Sequence, residues 1–157
     1  MKILEQWPKQ LYKTINPKSF VDVFDSSYPS LAIVKKVEGK VFTRAIMVLI
    51  ISDVCLFYNT GQNMTQSQIA ELSDLIIEEY YYLKIDDFKL CFNNGKKGVY
   101  GDVYRVDGGV LLSWIERYRK ERNKAAEEDN FNKHQSTKGE SRGVEEFKDV
   151  YNRMKNK

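Results

Sequence analysis

The segment GKKGVYGDVYRVDGG, residues 95–109, gathers the most chemically useful residues of the chain. It holds five of the nine glycines, Lys96, Lys97 and Arg105 as cations, and Tyr100 and Tyr104 as flat rings. Glycine-rich backbone beside cations can wrap a phosphate. Cations beside aromatic rings can hold a nucleic-acid backbone while an unpaired base stacks. The two well-defined phosphate motifs do not fit. A P-loop needs G-x-x-x-x-G-K-[ST] after a strand, whereas Gly95, Gly98 and Gly101 recur every third residue with no GK[ST] behind them. The dinucleotide pattern G-x-G-x-x-G is also absent. Two readings remain. In one, the loop contacts single-stranded nucleic acid. In the other, Gly95 ends a helix, Gly98 and Gly101 turn the chain, and the tyrosines are core.

A second basic stretch, ERYRKERNK, carries Arg117, Arg119, Lys120, Arg122 and Lys124, offset by Glu116 and Glu121. A helix with that face could lie along phosphates, and each phosphate neutralised makes binding more salt-sensitive. The alternative is a solvated helix held by pairs such as Glu116 with Lys120. Acidic pairs at Glu78-Glu79, Asp86-Asp87 and Asp102/Asp107 could in principle act as acid–base or cation-binding groups. Each also has a local explanation as a helix surface, a helix cap or a turn.

Nucleophilic catalysis lacks its usual parts. The single histidine, His134, falls in a strongly polar stretch, so no Ser–His or Cys–His pair is expected. Two cysteines 36 positions apart and one histidine make no zinc cage, and no metal or cofactor is expected. Cys55 and Cys91 sit among apolar neighbours and read as small core residues in a reducing compartment.

The elements that must position these groups are helical. The pattern predicts an all-α fold: a helical domain over residues 1–125 around one central apolar helix, with a charged tail over 126–157. Asn16 before Pro17 predicts the opening of a short helix, and YPSLAIVKKVEG a second one that stops at Gly39. Residues 40–58 are apolar almost all round, which predicts the central helix. Thr65 and Gln68 match a capping box, followed by Ile69, Leu72, Leu75 and Ile76 at helical spacing to about Tyr82. Asp86 is expected to cap a short helix with a Phe88, Cys91, Phe92 stripe, ended by Gly95. Asp107 caps the last strong helix, whose stripe is Leu111, Trp114, Ile115 and Tyr118. Residues 129–143 have almost no apolar content and are expected to be disordered, within a flexible tail. The segment 144–155 places Val144, Phe147, Val150 or Tyr151, and Met154 at near-helical spacing, a candidate partner-binding face.

Charge and hydropathy narrow the function. The net charge of +3 lies wholly in residues 119–157, since the first 118 residues balance. The longest uninterrupted apolar run, Ala45–Ile51, is far below the roughly 20 residues of a membrane span. No secretory signal pattern opens the chain, so a cytoplasmic protein with no membrane partner is expected.

Residues 86–122 carry the Phe88–Cys91–Phe92 stripe, Gly98-x-Tyr100-Gly101, Tyr104, Asp107-Gly108 and Trp114…Tyr118…Glu121-Arg122. This block resembles a segment of small helical proteins from bacteriophages and bacterial mobile elements. The layout as a whole is similar, more distantly, to phage helicase loaders and replisome organisers. Those join a helical body to a C-terminal segment that engages the replicative helicase. The resemblance implies a non-enzymatic accessory protein, in DNA replication or a related process of the host cell. It would act by protein contact, with weak binding of single-stranded nucleic acid. The alternatives are a virion-associated structural protein and an inhibitor of a host enzyme.

Overall fold

The computed structural model describes residues 10, 12–58, 61 and 63–155, with side chains as far as residue 137. The fold is all-α. Among the described residues six helices follow a helical turn at 12–14. They are α1 (Phe20–Asp25), α2 (Leu31–Glu38), α3 (Lys40–Phe57), α4 (Gln66–Glu79), α5 (Ile85–Lys96) and α6 (Gly108–Lys155). The chain divides into two compact units, Met1–Lys120 and Glu121–Lys157.

Local chemistry sets most boundaries. Ser19, rather than Asn16, caps α1, because Ser19 and Asp22 close a reciprocal capping box there. Gly39 ends α2 and starts α3 with a φ of 89°, a backbone state that favours glycine. Thr65 and Gln68 form the expected box at α4, with 2.8 Å from the Thr65 amide to Gln68 Oε1. That helix ends at Glu79, three residues before the expected limit. Asp107 Oδ1 accepts from the Val110 amide at 2.9 Å and opens α6 as anticipated.

Helix α3 is the hub, packing on α2, α4 and α5. It buries Thr43, Ile46, Met47, Ile50, Ile51, Val54 and Cys55 on one broad face. It is not enclosed all round: Val41, Leu56 and Phe57 are exposed, so its apolar content exceeds what its neighbours cover. The second layer of the core is aromatic. Phe88 and Phe92 of α5 meet Trp114 and Tyr118 of α6, with Leu111 and Ile115 on the same α6 stripe. Burying each such side chain stabilises the fold by roughly 1.5–3 kcal/mol. Both cysteines are buried free thiols within this core.

Two expectations about α5 fail for tertiary reasons. Asp86 is not the cap. The helix starts one residue earlier, at Ile85, and Asp87 Oδ2 accepts from the Lys84 amide at 2.8 Å. Gly95 does not stop the helix either. It lies inside α5 against the Trp114 ring, where any Cβ would collide with Cε3 and Cζ3. The turn belongs to Gly98 and Gly101, with φ of 79° and 108°. Residues 97–100 form a turn, and 101–107 follow without regular structure apart from a bend at Tyr104.

The segment 129–143 is helical, against the expectation of no secondary structure. Its Asn, Lys, Gln and Glu residues tolerate a helix, and Lys133 pairs with Asp129 one turn away at 2.7 Å. The candidate partner-binding side chains Val144, Phe147, Val150, Tyr151 and Met154 lie outside the residues whose side chains are described.

Candidate functional site

The loop between α5 and α6 does not present its cations as one basic surface. Lys96 lies largely buried against the Phe57 ring and bonds to Asp53 of α3. Asp53 also accepts from the Tyr12 hydroxyl at 3.0 Å. Burial works to raise the Asp53 carboxyl, but the Lys96 ammonium and the Tyr12 hydroxyl outweigh it and hold it below the usual range. On the same face of α5 the Lys89 ammonium sits 3.6 Å from the Tyr12 ring centre, and burial pulls its pKa down. Arg105 is committed to Asp107 at 2.7 Å.

On α6, Arg119 grips Glu116 through Nε at 3.1 Å and an η nitrogen at 2.5 Å. The hydroxyl of Tyr80, the C-cap of α4, lies 3.5 Å from the same carboxylate. Arg117 covers the Tyr100 ring at 5.4 Å, and that ring in turn packs on Trp114 at 6.0 Å. Tyr100 is thus tied into the core, as the plainer reading of the loop expected. Tyr104 is 89% exposed, and Lys97 and Lys120 are also exposed. Arg122 and Lys124 belong to the second unit, Arg122 half-buried and Lys124 exposed. Lys96, Arg105 and Arg119, all candidate nucleic-acid residues, each have their charge met by a nearby carboxylate.

A groove with no counterpart in the sequence reading lies on the other side of this loop. Its volume is about 490 Å³, and it runs between the start of α4 and the start of α6. Met64, Leu72, Leu75, Val106 and Leu112 give it an apolar lining, with Glu71 and Arg105 among its charged residues. Gly108 and Gly109 line it as well, and their lack of side chains keeps that wall low. Both helix starts beside it satisfy their own amides through Thr65, Gln68 and Asp107, so neither presents an open anion cradle. Leu75 carried a sequence signal of sorts. Its spacing puts it on the buried stripe of α4, yet it is half exposed and lines the groove.

A third cluster is buried. Asp86 and Asp87 are 1% and 0% exposed at the first turn of α5. Asp87 accepts from the Tyr118 hydroxyl at 2.7 Å, and Lys84 Nζ donates to the carbonyls of Val23 and Ser26 at 2.8 and 2.9 Å. Beside the local Lys84–Asp87 cap, these long-range bonds join α1, α5 and α6. Among the described residues, no three His, Cys, Asp or Glu side chains converge to hold a metal ion. Among the same residues, no helix is long and apolar enough to cross a membrane. Comparison with protein-family models, with curated proteins and with solved structures finds no match for this chain.

Proposed function

We propose that this chain is a non-enzymatic accessory protein, of the bacteriophage or mobile-element type that residues 86–122 resemble, working by protein contact. The observation that carries this reading is the groove between α4 and α6. An apolar lining with a Glu71 and Arg105 border suits an amphipathic protein segment that inserts one or two apolar side chains. Its capped helix ends suit a phosphate poorly. The resemblance to helicase loaders makes a replicative helicase the first partner to test. A virion protein and a host enzyme are the other two.

The test is affinity capture with three proteins: the parent, Leu75→Glu and Val41→Glu. Val41 is an apolar residue even more exposed than Leu75, and it does not line the groove. The proposal expects a partner held by the parent and by Val41→Glu but lost with Leu75→Glu. Equal retention by all three proteins removes the groove from the account.

The exposure of Tyr104 and of Lys97, both between the end of α5 and the start of α6, favours a second reading, in which the loop stacks on single-stranded nucleic acid. Fluorescence anisotropy with a labelled oligonucleotide at low salt tests it. Tyr104→Ala and Lys97→Ala should each weaken binding several-fold, and unchanged binding by both variants ends this reading.

A further inference from the structure

The buried acid at the start of α5 has no role in partner binding, and its surroundings are unusual. Asp86 is 1% exposed, and its Oδ1 atom makes no hydrogen bond. The Ser26 hydroxyl oxygen, at the end of α1, is buried close to this carboxyl. The next residue is a second fully buried carboxylate, Asp87. Lys84 is the cation facing this pair, and its ammonium is occupied by the Val23 and Ser26 carbonyls. The Tyr118 hydroxyl, arriving from α6, serves Asp87. Asp86 therefore has a like charge beside it, no cation of its own and almost no water. Each of these conditions favours the neutral carboxylic acid.

We propose that Asp86 is a protonation latch: in its neutral form it secures the α1–α2 connection to the start of α5, and its ionisation loosens that connection. Burial is the main influence on this carboxyl and pushes its pKa up. The Asp87 charge pushes the same way, while the Ser26 hydroxyl and Lys84 oppose them. The latch sits where it has leverage. Directly beside it, the Leu31 amide donates to the Leu83 carbonyl at 3.0 Å and the Ala32 amide to Tyr81 at 2.8 Å. The Ile85 amide reaches back to Pro29 at 3.3 Å. A charge forced into this site must draw in water, and the nearest way for water to enter is by parting these strand-like contacts.

The sign follows from linkage. A folded-state pKa above the unfolded value means that the folded protein holds the proton more tightly. The contribution of Asp86 is then most favourable below the ordinary carboxylate pKa of about 3.9. It declines as pH rises from there through the folded value, the reverse of a salt-bridged aspartate.

Carbon NMR of the side-chain carboxyl in the parent protein tests the latch directly. The expected midpoint lies above that of Asp in an unfolded peptide, and a midpoint at or below that value overturns the proposal. Asp86→Asn, a neutral isostere, supplies the second readout. Its denaturation midpoint should exceed the parent's by more at about pH 7 than at about pH 4. Hydrogen exchange at the Leu31, Ala32 and Ile85 amides should speed up with pH in the parent beyond the rise seen in the variant. A pH-independent difference between the two proteins refutes the latch. If Asp86→Asn does not fold, the parent titration decides alone.

Discussion

Replacing Gly95 with alanine separates two roles that a glycine near a helix end can have. If Gly95 were an ordinary position in the last turn of α5 with open space beside it, alanine would be harmless or helpful, since alanine is better than glycine within a helix by about 1 kcal/mol. The structure predicts the opposite sign. An ideal Cβ at this position would lie 2.8 Å from Trp114 Cδ2 and closer still to Cε3 and Cζ3. Optimal carbon contacts are about 3.5–4.0 Å, so the indole would have to retreat by an ångström or more. It has little room to do so. Tyr58, Phe92 and Tyr100 surround it at ring distances of 6.3, 6.5 and 6.0 Å, and the Tyr58 hydroxyl is bonded to the Gly95 carbonyl at 3.1 Å. Overpacking of this kind costs about 1–3 kcal/mol, and a rigid ring wedged on three sides belongs at the upper end. After subtracting the helix gain, Gly95→Ala should destabilise by about 2 kcal/mol. With a urea slope of about 1–3 kcal/mol/M, the midpoint should fall by about 1 M. Urea denaturation followed by far-ultraviolet circular dichroism reads this shift, and near-ultraviolet dichroism reports the displaced indole. An unchanged or raised midpoint would refute the packing argument and leave Gly95 an ordinary position in the last turn of α5.

Three further outcomes are expected. Gly101→Ala has nothing within 4 Å of the added carbon, so its penalty comes from the backbone alone. A φ of 108° should make it destabilising by about 1–3 kcal/mol in urea denaturation, with no change in the near-ultraviolet tryptophan signal. Tyr118→Phe withdraws the 2.7 Å donor from fully buried Asp87 and should destabilise by about 1–3 kcal/mol, measured by thermal or urea unfolding. Asp53→Asn tests the Lys96 and Tyr12 cluster through pH. Because the Asp53 pKa is depressed in the fold, its contribution is complete above the ordinary carboxylate value. The parent's advantage over the variant should therefore be present at neutral pH and fade as pH falls into the acid range. A difference that persists at low pH would show that the cluster acts through packing rather than charge.

What the sequence made legible was short-range. The capping box at Thr65 and Gln68, the Asp107 cap and the Leu111, Trp114, Ile115, Tyr118 stripe all rest on residues within one or two turns of each other. Local periodicity encodes such features completely. The errors fall where the deciding partner is distant. Gly95 looks like a stop until Trp114 is placed against it, nineteen positions later in the chain. Asp86 and Asp87 look like wet capping residues until Tyr118, Ser26 and Val23 close over them. Lys96 reads as a cation offered to a ligand until Asp53 of α3 takes it. The groove is the extreme case, since no single element contains it and only the meeting of α4 with the start of α6 creates it.

The backbone pairing of Pro29–Ala32 with Tyr81–Ile85 also bears on the order in which the chain can assemble. Helices α1 and α2 leave the ribosome first, yet the segment that joins them finds its hydrogen-bonding partner only after roughly fifty more residues have emerged. Closing a span of that length is entropically slow compared with forming the helices inside it. The α1–α2 junction must therefore wait without its backbone partner while α3 and α4 are translated, and the start of α5 is the piece whose arrival supplies it.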